Sequence, residues 1–289
     1  MTILTLTPLV KDIGDFEVRR LLPSAQQAAV GPFVFWDHFG PVTLPADRNM
    51  DVRPHPHIGL ATLTWLFDGE IMHRDSLGNE QSIRPGAVNW MTAGRGIVHS
   101  ERTPQALRDE AKPLHGLQIW LGLPDESEEV APDFQHYPAS EIPRVQLGDV
   151  SLSLIAGRAL GARSPVAVYS PLCYLAATLL PGQSFEWTRL YPEEAVYVVA
   201  GRVKIDGKPV ERHSMAVLPD KAHVAVSSKD GATIALLGGE PLGKRFVVWN
   251  FVSSSRERIA AAASLWEEGG FDRVPGDDEF IPLPEKFRR

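Results

Sequence analysis

Two short frames pair metal-capable side chains at a spacing of two: His55-Pro-His57 and His99-Ser-Glu101. In a β-strand, residues i and i+2 point to the same face. Two such strands side by side would aim three imidazoles and one carboxylate at a single point. That donor set suits one divalent first-row transition metal with open coordination positions, as catalytic sites have. Fe(II), Mn, Ni, Cu and Zn fit it better than Ca or Mg, which prefer oxygen ligands. The plainer reading is a polar strand face whose histidines are merely hydrogen-bonded. A lone His-x-His would favour that reading; two frames on separate strands favour the metal.

Local context supports the site. Pro56 has no N–H to give a ladder, which favours a strand edge or mouth over a sheet centre. Gly94 and Gly96 permit a tight turn just before the second frame. Ligating imidazoles usually donate their other N–H to a partner; Asp37, His38, Gln118, Asp51 and Arg53 are the candidates. His73-Arg-Asp75 precedes a Gly-Asn turn and reads as an exposed hairpin. Ser100, between two ligands, should face away. No nucleophile elbow, P-loop or dinucleotide fingerprint occurs.

The elements that must hold these residues are short strands. Gly and Pro number 24 each and punctuate apolar runs such as 61–67, 87–91, 117–123, 175–180, 195–199, 215–218, 223–226 and 233–237. The pattern predicts an all-β chain of sandwich or barrel units rather than alternating strands and helices. One helix is expected over 254–268, with Ser254 and Glu257 as a capping box and Gly269-Gly270 as the stop. The Pro-rich tail beyond it should run irregularly over the surface.

The chain also repeats itself. Trp65-Leu-Phe-Asp-Gly69 matches Tyr197-Val-Val-Ala-Gly201, and 86–91 matches 214–218 with a small deletion. Two copies of one β fold follow: residues 1–150 carrying the metal ligands, and 151–289 without them. Extending the alignment sets His55 and His57 against Trp187 and Arg189, and His99 and Glu101 against Val226 and Ser228. Seven of the nine histidines precede residue 150, so the chemistry belongs to the first copy.

Composition excludes other classes. A net charge of −7 over 289 residues argues against a broad nucleic-acid surface. No apolar run is long enough for a membrane helix, and the N-terminal residues do not read as a secretory signal. The single cysteine, Cys173, lies in an apolar run and reads as a buried hydrophobe. A cytoplasmic setting is expected, and a monomer.

At this point the residues resemble a family. Gly31-Pro-Phe-Val-Phe-Trp-Asp-His-Phe-Gly-Pro41, His55-Pro-His57 and Met91-Thr-Ala-Gly-Arg-Gly-Ile-Val-His-Ser-Glu101 resemble the pirin family of bicupins. Val18-Arg-Arg-Leu-Leu-Pro23 and Gly116-Leu-Gln-Ile-Trp-Leu121 fit it too. The likeness covers nearly the whole chain and is strongest in its first half. It implies two jelly-roll cupin barrels face to face with a short C-terminal helix. It also implies one metal in the first barrel, Fe(II) foremost with Ni, Mn, Co, Cu or Zn as alternatives, on His55, His57, His99 and Glu101.

Several pirins are described as quercetin 2,3-dioxygenases, which open a flavonol with O2 and release CO. The expected partners are therefore a flavonol-like molecule and O2. Glu101 would relay the flavonol proton, and Val34, Trp36, Trp90 and Met91 would line the mouth. Other pirins are described as transcriptional co-regulators or partners of metabolic enzymes. A metal- or redox-sensing regulatory protein is thus the alternative. One departure stands out: the family pattern usually has a glutamate four residues after the second histidine, and this chain has Ala61. An altered pocket near Ala61 is expected.

Overall fold

The computed structural model describes residues 3–12 and 16–287. Its regular structure is antiparallel strand, apart from short 3-10 turns and one α-helix, Arg256–Glu267. Contacts group the chain into two compact units. One holds the described parts of 12–18, 38–136 and 242–289; the other holds those of 1–11, 19–37 and 137–241. The units interleave in sequence, so contacts do not divide the chain at a single point near residue 150.

The pairing explains the interleaving. Strand Leu4–Leu6 adds to Met215–Val217, in the second unit. The C-terminal segment returns to the histidine-bearing unit, where Phe251 bridges to Ile58 and the Ile281 N–H donates to the Pro54 carbonyl at 2.8 Å. The tail is irregular, as expected, but tied down: Trp266 Nε1 donates to the Ile281 carbonyl at 3.1 Å.

In the histidine-bearing unit, Val88–Thr92, Leu60–Asp68 and Lys112–Gly122 are successive neighbours in one sheet. A four-stranded sheet runs in the order Asp51–His57, Ile97–Arg102, Ile71–Asp75, Glu80–Ile83. The second unit repeats that arrangement as Ser184–Thr188, His223–Ser227, Val203–Ile205, Lys208–Val210. Each unit sets this small sheet beside a larger one, the jelly-roll pattern expected. Alternation drives it. In Ser184–Thr188 the buried residues are Phe185 and Trp187 while their neighbours face water.

The register corrects one alignment. Phe185 lies opposite Val226 and Trp187 opposite Val224, whereas His55 lies opposite His99. If Val226 matches His99, the counterpart of His55 is Phe185 and that of His57 is Trp187. The earlier pairing was two residues out because it ran through a turn of different length.

Apolar side chains fill both units. Leu152, Leu175, Trp187, Val198, Val226 and Ile234 belong to the core of the second. Leu44, Leu66, Ile71, Ile83 and Leu114 belong to one core of the first, and the helix adds Ile259 and Ala262 to another around Ile58 and Phe251. The helix begins one residue later than expected at its cap. Ser255, not Ser254, accepts from the Arg258 N–H at 3.2 Å. The Ser254 N–H is taken by the buried Glu128 carboxylate.

Candidate metal centre

His55, His57 and His99 meet. Asp51–His57 is an edge strand, as Pro56 requires. His55 lies directly opposite His99. The ring centroids are 4.4 Å apart for His55 and His99, and 5.0 Å for the other two pairs. One candidate ligand atom from each lies within 4.8 Å of the others, and all three residues are buried. Gly94 enables the approach of the second frame: its φ is +51°, and a β-carbon there would collide with the Val130 carbonyl oxygen.

The ring nitrogens are sorted. His55 Nδ1 lies 2.9 Å from the Arg53 carbonyl and His57 Nδ1 2.9 Å from the Asn250 carbonyl. A carbonyl only accepts, so both Nδ1 atoms carry the proton and both Nε2 atoms keep a lone pair. His99 Nε2 is buried with no hydrogen-bond partner. Such an orphan is costly unless something outside the protein completes it. Burial drives all three pKa values down. His55 falls to about 4, against the pull of the Arg53 carbonyl. His57 and His99 fall well below the ordinary value, through burial first and then neighbouring imidazoles. Neutral imidazoles with free Nε2 lone pairs are what a transition metal needs, so the donor set fits one.

Glu101 stands differently. It is buried, but it is not one of the three residues whose ligand atoms converge within 4.8 Å. The pairing register shifts between His99 and Glu101, because the 51–57 strand carries an extra residue there. Glu101 Oε1 accepts from the Thr64 hydroxyl at 3.1 Å. Burial raises the Glu101 pKa, with the facing His73 imidazole and the Thr64 bond opposing.

The outer partners differ from those expected. Arg53 contributes its backbone carbonyl. Gln118 reaches Thr64 rather than an imidazole. Asp51 pairs with Arg108, Asp37 with Arg20, and His38 with His115. Asn250 has no signal in the sequence, since a carbonyl acceptor leaves no mark on residue type.

His73 and Asp75 are the larger omission. Both are buried, not exposed. Asp75 lies opposite His99 and His73 opposite Glu101, so this i, i+2 pair shares the site's face. The spacing rule that found the two frames applies to His73-Arg-Asp75 as well.

Register also settles Ala61. Thr62 lies opposite Trp120 and Met91, and Trp120 packs its ring edge-on to His57 at 5.0 Å. Ala61, opposite Leu121 and Thr92, therefore faces the other side of the sheet. The altered pocket expected there does not arise, because the side chain points away from the imidazoles. Of the proposed mouth residues, Met91 shares the site's face. Trp90 lies on the opposite face and donates to Thr92 Oγ1 at 3.1 Å. Val34 and Trp36 fall in the other unit, where Trp36 packs on Tyr174 and Tyr197.

The chain is similar to known proteins over nearly its whole length. Residues 15–121 match the pirin family model, and 174–272 match that of the pirin C-terminal cupin domain. A pirin-like protein of Caulobacter vibrioides is 49% identical over 280 residues, covering 95% of this chain and 96% of its own. A crystal structure of quercetin 2,3-dioxygenase from Acinetobacter baumannii has 34% identity and a TM-score of 0.90, covering 98% of this chain and 95% of its own. The bacterial pirin YhhW from Escherichia coli, solved in complex with nickel(II), shares the fold at 18% identity and a TM-score of 0.66, over 83% of this chain and 100% of its own. With both domains matched and nearly half the residues shared with a full-length relative, the chain belongs to the pirin family of bicupins.

Proposed function

We propose that this chain is a metal-dependent dioxygenase of the quercetinase type, which opens a flavonol such as quercetin with O2 and releases CO. The observation that carries it is the trio of buried imidazoles, His55, His57 and His99, with an Nε2 lone pair left over on the first two and an unpartnered Nε2 on the third. The likeness to a quercetin 2,3-dioxygenase structure supplies the reaction class. His55, His57 and His99 would hold the metal, Fe(II) foremost, with Glu101 as the carboxylate ligand.

A bound divalent transition metal supplies Lewis acidity toward the flavonol's 3-hydroxyl and carbonyl oxygens, and a redox-active one supplies electron transfer toward O2. The residues do the rest. Glu101 takes the 3-hydroxyl proton onto a carboxylate oxygen. Thr64 orients the oxygen it donates to. Trp120 and Met91 give the same face an apolar wall that limits water. The flavonolate so formed is electron-rich at the ring carbon that O2 attacks. No helix among the described residues is long and apolar enough to cross a membrane, and a cytoplasmic setting is part of this proposal.

The test is anaerobic loading with Fe(II), Mn, Ni, Co or Cu, followed by quercetin and O2. Loss of quercetin absorbance with release of CO is expected for at least one metal. No CO with any of them overturns the proposal.

A further inference from the structure

The buried pair His73 and Asp75 takes no part in the mechanism above, yet it touches the metal-facing histidine most in need of orientation. His73 Nε2 lies 3.0 Å from Asp75 Oδ2. His73 Nδ1 lies 3.4 Å from His99 Nδ1. Phe134 stacks on the His73 ring at 4.2 Å and 13°, which fixes its plane. Asp75 is itself pinned: its Oδ1 accepts from the Leu77 N–H, the Asn79 N–H and Asn79 Nδ2.

Two facing Nδ1 atoms make a hydrogen bond only if one carries a proton and the other does not. Asp75 decides which. An ionised carboxylate only accepts, so when the His73 ring carries one proton Asp75 holds it on Nε2 and leaves Nδ1 bare. The bare Nδ1 can only accept, so His99 holds its proton on Nδ1. The His99 Nε2 lone pair is then free, and that is the atom without a partner. His55 and His57 reach the same tautomer from single backbone carbonyls. His99 reaches it through two side chains.

We propose that Asp75 and His73 are positioning residues that lock His99 in the Nδ1–H tautomer and so present its Nε2 lone pair to a metal. The proposal rests on the metal reading above and names residues outside the ligand set. It also accounts for a hairpin that places two polar residues in the interior.

Asp75→Asn separates this role from a merely structural one. Two backbone N–H donors hold Oδ1, so the new amide keeps its oxygen there and places its NH2 where Oδ2 was, while Asn79 Nδ2, which in the wild type bridges Oδ1 at 3.1 Å and Oδ2 at 3.0 Å, is left with the oxygen alone. That NH2 faces His73 Nε2, forcing the His73 proton to Nδ1 and the His99 proton to Nε2. The variant is nearly isosteric yet puts a proton in the metal's place.

The apparent Kd for Ni(II) and Zn(II), measured by chelator competition, should rise about 10- to 100-fold. Long-range proton–nitrogen NMR of metal-free protein should show His99 protonated at Nδ1 in the wild type and at Nε2 in Asp75→Asn. His73→Phe keeps the stack on Phe134 and removes the acceptor. It should give a smaller rise in Kd, and it serves if Asp75→Asn fails to fold. Wild-type Kd values in the folded variants overturn the proposal, and so does a wild-type spectrum with His99 protonated at Nε2. That spectrum judges the relay without any metal. A wild-type chain that takes up neither ion overturns the metal reading separately.

Discussion

The Thr64 hydroxyl lies 3.1 Å from Glu101 Oε1 and equally 3.1 Å from Gln118 Oε1. A hydroxyl has one proton, so it cannot donate to both. A carboxylate is the stronger acceptor. Thr64 therefore donates to Glu101, and its approach to Gln118 Oε1 is the weaker contact. The strand facing the imidazoles thus orients the carboxylate of Glu101.

Replacing Thr64 with Val tests this relationship. The shape is kept, the donor is lost, and burial then holds Glu101 more firmly in its neutral form. Metal affinity should fall by about 10- to 100-fold, the usual cost of an outer partner. Thr64→Ser should retain it. Chelator competition with Ni(II) measures both, and an unchanged affinity in Thr64→Val shows the bond to be idle.

Glu101→Gln tests the carboxylate itself. The amide keeps an oxygen for Thr64 but cannot take a proton from the flavonol and is a poorer ligand. Metal content after isolation should drop, and turnover per bound metal should fall by about 10²- to 10⁴-fold, the range for a lost general base. Elemental analysis beside CO release separates the two roles. Full metal affinity removes Glu101 from the ligand set, and full turnover removes it from proton transfer.

Period-two spacing made the three histidines and the all-β fold legible in the sequence, and the missing N–H of Pro56 pointed to a strand edge or mouth. What it could not reach was register. A one-residue slip moves a side chain to the other face, and this decides that Ala61 and Trp90 point away while Thr62 and Trp120 point in. Nor does spacing show which segments pack together. The Asn250 carbonyl reaches His57 across a separation of 193 residues. His73 and Asp75 were misread because charged residues beside a turn suggest exposure, and only the paired strands show them turned inward.

Acid should weaken the metal-free fold. The unfolded His55 titrates near 6.5 and the folded one at about 4. Between those values the unfolded chain binds a proton that the folded chain refuses, so stability falls as pH falls. The loss begins below about pH 6.5 and runs at up to about 1.4 kcal/mol per pH unit for this residue. His57 and His99, also depressed, steepen it. Urea midpoints of metal-free protein at pH 7, 6 and 5 should decline in that order, and His55→Gln should flatten the decline. A midpoint that is level from pH 7 to 5 contradicts the assignment.

Glu194→Gln should separate scaffold from chemistry. Glu194 is buried in the second unit, where Oε2 accepts from Trp187 Nε1 at 2.9 Å. Its Oε1 accepts from the Leu190 N–H at 2.9 Å and the Tyr191 N–H at 3.1 Å. With glutamine, the amide oxygen stays with the two backbone donors, and the NH2 is left facing the Trp187 N–H. Two donors face each other with no acceptor, an arrangement that costs about 1–3 kcal/mol when buried. None of the three imidazoles belongs to this unit, so Ni(II) affinity at the His55–His57–His99 cluster should stay at its wild-type value. Denaturant unfolding and chelator competition on one preparation measure both quantities. Stability lost with affinity intact identifies the second unit as scaffold, whereas a matching loss of metal affinity assigns it a part in building the site.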